Sequence, residues 1–365
     1  MAQSPSFVPS FGNRPGRLVG RDGEVAAFVD GLSQPVGHPA RATMCVGQRG
    51  MGKTALLLEF SDQARRHGFV AAKATSSEAL LTELIEGVQL GGSEFVPQGR
   101  KVAGASVGVL GFSAGLTFTS QTEQTATFRA KLSLLCDRLA KNEKGVCLLV
   151  DEVTPNSEQI RQLAVAYQEL VGEGRNIVVA LAGLPSAISN VLNDKVLTFL
   201  NRATKVRLGA LPIPQITAHY AQTFQALGKS IENRDLERAA AATLGYPYLL
   251  QLVGYYLLEF AGTSAAITSD TVELAVNAAR QALADTVFAP CLAPLSTRDK
   301  EFVRAMAVDS GTSSISEVAR RLSVSPGSAQ QTRARLIGHG LVASAGMGEL
   351  EFTVPYLAEY LRDEL

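Results

Sequence analysis

Eight residues constrain this chain more than any others. Gly47-Gln48-Arg49-Gly50-Met51-Gly52-Lys53-Thr54 fits the pattern GxxxxGK[ST]. It falls between a short apolar run, Ala42 to Val46, and an amphipathic stretch from Lys53 to His67. The run reads as a strand and the stretch as a helix, which Gly68 stops as a C′ residue. Glycines let the backbone turn tightly enough for successive N–H groups to converge on phosphate oxygens, and the helix N-terminus adds its partial positive charge. Lys53 is then placed to reach the β- and γ-phosphates, and the Thr54 hydroxyl to ligate Mg²⁺. Ala55 follows in the first turn of the helix.

A second motif answers the first. Val146-Cys147-Leu148-Leu149-Val150-Asp151-Glu152 is an apolar strand that ends in two carboxylates. A buried parallel strand reads as a continuous apolar run, and ligands bind at the carboxyl ends of such strands. Asp151 is expected in the Mg²⁺ shell, and Glu152 is expected to polarise an attacking water. Around these motifs, helical periodicity at Asp22 to Leu32, Glu78 to Val88, Glu123 to Lys141 and Ser157 to Val171 alternates with strand-like runs at Phe69 to Ala74 and Ile177 to Ala182. That alternation predicts an α/β fold, a parallel sheet covered by helices on both faces. Residues 91–120, rich in Gly, Ser and small apolar residues, read as a β-hairpin insertion. Beyond Pro212 strands disappear, and 213–288 reads as four helices.

Composition narrows the class of protein. Thirty-four basic residues balance thirty-four acidic ones among 365, which argues against coating nucleic acid or membrane by bulk charge while permitting a local basic patch. The four cysteines, Cys45, Cys136, Cys147 and Cys291, have no CxxC spacing and read as reduced core thiols. The four histidines lack paired ligand spacing. No apolar run reaches the ~18 residues of a membrane span. Met1 to Gly16 carries three prolines and does not read as a signal peptide, so a cytoplasmic protein is expected.

The segment Arg17-Leu18-Val19-Gly20-Arg21-Asp22-Gly23-Glu24, together with the glycine loop and Val150-Asp151-Glu152, resembles the P-loop ATPases of the AAA+/STAND group. The nearest likeness is to bacterial ATP-binding proteins with an origin-recognition (Orc1/Cdc6)-like domain and their archaeal ATPase relatives. The resemblance implies an ASCE-type sheet, adenine contacts from Val19, Gly20 and Arg21, and ATP with Mg²⁺ as ligands. It also implies that Asn201 to Leu208 is the arginine-bearing segment leading into the last strand, with Arg202 ahead of Arg207 as the arginine that stabilises charge on the γ-phosphoryl, in cis or in trans. Gly245-Tyr246-Pro247 resembles the glycine-x-proline lid motif, whose loop faces the nucleotide. Two departures from the pattern stand out. Ala182-Gly183-Leu184-Pro185 lacks the polar residue that feels the γ-phosphate in AAA+ motors, and the lid has no second sensor arginine. Both favour a slow ATPase or nucleotide switch over a motor.

The last seventy residues read as a winged helix-turn-helix. Helices are expected at Asp299 to Val308, Ile315 to Leu322 and Pro326 to Gly338, with Ser325 as a cap and Gly346 and Gly348 in the wing turn. The third helix is where such folds carry base-reading side chains, here Gln330, Gln331, Arg333 and Arg335. Between Val318 and Gly348 stand Arg320, Arg321, Arg333 and Arg335 and no acid, a field suited to the phosphates of double-stranded DNA. The alternative is that the segment acts as a latch on its own ATPase or meets a protein partner. A third possibility is an oligomeric remodelling ATPase that self-associates. The expected organisation is an N-terminal extension over 1–16, a P-loop ATPase domain over 17–211, a helical lid over 212–289 and a winged helix over 290–365.

Overall fold

The computed structural model describes residues 6–9, 16–95 and 125–363. They fall into two compact units. One comprises Arg21–Gly47 and Lys53–Arg207; the other gathers Met1–Gly20, Gln48–Gly52 and Leu208–Leu365.

The first unit opens with helix α1 (Asp22–Ser33), strand β1 (Ala42–Gly47) and helix α2 (Lys53–Arg66). Strand β2 (Phe69–Thr75) and helix α3 (Leu80–Gly92) follow. Helix α4 (Phe128–Ala140), strand β3 (Gly145–Val153) and helix α5 (Glu158–Gly172) come next. Strand β4 (Ile177–Gly183), helix α6 (Pro185–Asn193) and strand β5 (Thr204–Leu208) complete the unit's elements. The sheet order is β2-β3-β4-β1-β5, and β2–β3, β3–β4 and β1–β4 all pair in parallel. The expected parallel α/β sheet is therefore present, with β4 inserted between β1 and β3. Buried strands carry its core: Met44, Val146, Leu148, Val150, Val179 and Leu181 pack against Leu84, Leu135 and Leu163 of the flanking helices. Side chains set the helix starts, since Thr127 accepts a hydrogen bond from Ala130 N and Ser157 one from Ile160 N.

The glycines near residue 90 do not mark a loop. Helix α3 continues to Gly92, four residues beyond the expected end at Val88. A Cβ at Gly87 would lie 2.9 Å from Ala72 Cβ, and one at Gly91 3.2 Å from Val70 Cγ1, so these glycines let the helix lie close on β2. Apart from its first positions, the hairpin expected over 91–120 lies outside the described residues.

The second unit contains the four helices expected over 213–288: α7 (Ile213–Ala226), α8 (Asn233–Ala241), α9 (Pro247–Ala261) and α10 (Ser269–Leu283). Strands do not vanish entirely. Two-residue strands β6 (Ser230–Ile231) and β7 (Ala266–Ile267) pair in parallel. A π-turn (Ala284–Phe288) and α11 (Ala289–Leu292) lead on to α12 (Thr297–Ala307) and strand β8 (Ser313–Ser314). Helices α13 (Ile315–Arg321) and α14 (Pro326–Gly338) are followed by β9 (Val342–Gly346), β10 (Glu349–Phe352) and α15 (Leu357–Asp363). The strands β8, β10 and β9 form an antiparallel sheet in that order.

One apolar core runs through this unit, from Ile216, Tyr220 and Leu250 to Phe302, Val318, Leu336 and Leu357. Tyr356 Oη donates to Ala242 O at 2.7 Å, and the Arg280 guanidinium lies 3.8 Å over the Tyr356 ring. Phe7 is buried in the same core, edge-on to His219 and Tyr220. A Cβ at Gly254 would stand 2.5 Å from the Phe7 ring, which is why helix α9 carries a glycine mid-length. The four cysteines are free thiols, three of them buried. Among the described residues, no helix is long and apolar enough to cross a membrane.

Candidate phosphate-binding site

In the first unit, register brings the carboxyl ends of β1 and β3 level. Cys45 of β1 pairs with Ala182 of β4, and Val150 of β3 pairs with Leu181. The carboxyl ends of β1 and β3 therefore flank the Ala182–Gly183 end of β4. Between Val150 and Val153, β3 takes three steps where β4 takes two, from Leu181 to Gly183. The extra residue makes a bulge, and Glu152 adopts φ +52° there. A left-handed φ on a residue with a Cβ costs on the order of 1–2 kcal/mol and is kept where the surroundings impose it, often at active sites. The bulge separates the two acids: Asp151 is 3% exposed, whereas Glu152 faces solvent.

Asp151 is held from three sides. Its Oδ1 accepts from Glu152 N at 3.0 Å, its Oδ2 lies 3.5 Å from Lys73 Nζ, and its carbonyl accepts from Ser76 N at 2.9 Å. Lys73 has no place in the sequence motifs. Its signal was a lone cation in the apolar strand β2. Lys53 Nζ donates to Gly47 O at 2.9 Å, so the ammonium is folded back across the start of the loop. Cys45 sits beneath these groups, fully buried. Burial pushes its thiol up to about 12, with the charges of Asp151 and Glu24 adding and that of Lys53 opposing. Thr54 and Ala55 open α2, half-buried. Arg21 is buried and donates to Glu24 Oε1 at 3.2 Å. Arg202 is exposed at the end of a 3₁₀ turn (Thr198–Arg202), and Arg207 is exposed on β5.

The remaining loop residues, Gln48 to Gly52, belong to the second unit. Gly50 and Gly52 have φ of +73° and +82°, and Met51 N donates to Gln48 O at 3.4 Å, so the loop is a turn only glycine enters freely. Tyr246 Oη donates to Arg49 O at 3.0 Å. The turn that delivers Tyr246 is itself unusual, because Leu244 and Gly245 are both left-handed, at +49° and +72°. A Cβ at Gly245 would lie 2.6 Å from Leu211 O, and Leu211 N donates to Gly245 O at 2.7 Å. Pro247 then begins α9 at a position where its missing N–H costs nothing. Pro247 Cβ is 4.0 Å from where a Cβ of Gly52 would stand. Val19 packs on this unit's core, and Gly20, at φ +66°, would meet Gln215 Oε1 at 2.6 Å if it carried a Cβ.

The arginines singled out near the C-terminus have internal partners. Arg335 Nη2 is 2.6 Å from the buried Asp299 Oδ1, Arg321 Nη1 is 2.8 Å from Asp309 Oδ2, and Arg320 pairs with Glu317. These acids precede Val318, outside the acid-free stretch in the sequence. Gln330 and Gln331 are exposed on α14, and Arg333 reaches Gln330 and Ser344 at 3.4 and 3.5 Å. Ser325 caps α14 as expected, accepting from Ser328 N.

Residues 17–192 match the AAA ATPase domain family, and residues 285–361 match a domain of unknown function (DUF8462). No curated protein matches the chain. Among solved structures, a Walker-type ATPase of Pyrococcus abyssi is similar at TM-score 0.68 and 15% identity, over 96% of this chain and 97% of that one. The Cdc6p protein of Pyrobaculum aerophilum is similar at TM-score 0.53 and 15% identity, over 98% and 97%. The ORC2 protein of Aeropyrum pernix, in its ADP form, is similar at TM-score 0.54 and 16% identity, over 97% and 96%. At these identities the likeness is one of fold. Residues 17–192 thus resemble the AAA ATPase domain, and the chain shares the fold of the archaeal Orc/Cdc6-like ATPases.

Proposed function

We propose that this chain is a Mg²⁺-dependent ATPase working as a slow nucleotide switch. The β3 bulge carries the reading: Asp151 is buried and Glu152 faces outward where β3 ends, level with the carboxyl end of β1 across β4. Glu152 accepts a proton from water that attacks the γ-phosphoryl group. Lys53 leaves the Gly47 carbonyl to meet the β- and γ-phosphates. The loop from Gly47 to Gly52 wraps those phosphates with its N–H groups, while Val19, Gly20 and Arg21 contact the adenine. Arg202, exposed ahead of β5, is the cation that meets charge developing on the γ-phosphoryl. The hard oxygens of Thr54 and Asp151 suit Mg²⁺, which would neutralise phosphate charge; one carboxylate and one hydroxyl suffice where waters and phosphates complete the shell.

The test is steady-state phosphate release by the wild type and Glu152→Gln, with ATP binding measured by calorimetry. Glu152→Gln is expected to bind ATP as the wild type does and to release phosphate 10²–10⁴-fold more slowly. Undiminished release by the variant would remove Glu152 from the mechanism.

The segment from α12 to β10 is read as a winged helix, whose helices share the apolar core of α7 to α10. Three of the four arginines offered for DNA already have carboxylate partners, and residues 290–365 hold eight basic and nine acidic side chains. Both observations favour a latch or protein contact, and leave Gln330, Gln331 and Arg333 as the surface a duplex would use. Fluorescence anisotropy with duplex DNA across a salt series, with ADP and with ATP in Glu152→Gln, separates the two. A steep, nucleotide-dependent salt slope establishes DNA binding; no binding at low salt assigns the winged helix to protein contact. Gel filtration with ATP tests the remodelling alternative, which a persistent monomer excludes.

A further inference from the structure

Tyr246 is expected from the lid motif to touch nucleotide. Its hydroxyl is engaged with the phosphate loop. The side chain is 1% exposed, and burial pushes its hydroxyl well above the ordinary tyrosine value, so it is a proton donor throughout the working pH range. Its acceptor is the Arg49 carbonyl, at 3.0 Å. A Cβ built at Gly50 would lie 1.9 Å from Tyr246 Oη and 2.2 Å from its Cζ. The ring therefore presses on the Arg49–Gly50 peptide, which leaves room for glycine alone.

A trans peptide is planar, and its C=O and N–H point in opposite directions. A donor that captures the Arg49 carbonyl on one side of the loop therefore turns the Gly50 N–H to the other. The loop binds phosphate only if its N–H groups converge, and an unpinned glycine peptide is free to flip, with a loss of affinity for every state in which it has done so. The same tyrosine is fixed from behind. Tyr246 N donates to Thr243 O at 2.8 Å, Gly245 O accepts from Leu211 N, and the Thr243 hydroxyl is tied to Ala240 O at 2.7 Å.

We propose that Tyr246 is a positioning residue: by donating to the Arg49 carbonyl, it holds the Gly50 N–H in the orientation that receives a nucleotide's phosphates. The proposal rests on the reading of this loop as the ATP site. It makes the turn before α9 a part of the phosphate site through the backbone of the loop. The coupling runs both ways, since phosphate bound to the loop holds the Arg49 carbonyl where Tyr246 meets it.

Tyr246→Phe keeps the ring and removes only the donor. Calorimetry with ADP and with ATP·Mg²⁺ on the full chain is expected to show affinity about fivefold weaker in the variant, the effect of one net hydrogen bond. Equal affinities in wild type and variant would overturn the role of Tyr246 and leave the ATP site standing. No binding by the wild type would overturn both. Should the variant melt lower, amide exchange without nucleotide decides. Faster exchange confined to the peptide covering 48–52, with β3 unchanged, supports the pinning; unchanged exchange in the loop refutes it.

Discussion

His219 makes the second unit sensitive to mild acid. It lies on α7, 8% exposed, with the Phe7 ring edge-on at 5.7 Å and Tyr220 at 6.4 Å. Burial, aided by the charge of Arg17, lowers its pKa from 6.5 to about 4. The unfolded chain therefore takes up a proton before the folded one does. Stability is full above pH 6.5 and declines as the pH falls towards 4. With those two values, a drop from pH 7.5 to 5 costs the folded state about 2 kcal/mol, a large part of an ordinary folding free energy. The assay is urea unfolding of the wild type and His219→Leu at both pH values. The difference of differences cancels every other group that titrates alike in the two proteins. The variant is expected to lose about 2 kcal/mol less than the wild type between the two conditions. A proton NMR titration in which the resonance missing from His219→Leu moves near pH 6.5 would refute the argument, because the ring would then be wetter than its packing requires.

Two further outcomes follow from the same geometry. Gly50→Ala must place a Cβ at φ +73° and 1.9 Å from Tyr246 Oη, so nucleotide affinity should fall at least about tenfold; calorimetry within twofold of wild type would contradict the packing. Burial acts to raise the Asp299 pKa, but hydrogen bonds from Arg335 and Ser296 outweigh it and hold the carboxyl below its ordinary 3.8. The stability it confers is present above about pH 4 and lost as the pH falls through the lowered value. Arg335→Gln should therefore flatten the loss of stability between pH 5 and 3, and an unchanged slope would deny the pair its role.

The sequence determined by itself what depends on local backbone requirements. Gly47 to Thr54 encodes a turn that needs glycine at positive φ, and an apolar run ending in Asp151 and Glu152 encodes a buried strand with its polar end outward. Alternation of strand and helix periods was enough for the parallel sheet, because each period reports which face of its own element is buried. Glycine misled near residue 90, where it served close packing of α3 on β2 instead of a break. The tertiary structure alone decided the rest. Tyr246 and Arg49 are 197 residues apart, and nothing in either neighbourhood encodes their hydrogen bond. Asp299 and Arg335 are 36 apart, so counting charges along the acid-free stretch could not show that its arginines were already engaged. The left-handed Glu152 arises from β3 accommodating one residue more than β4, a property of two strands together. Local rules fix what each segment can form; contacts distant in sequence fix which side chains remain free to act.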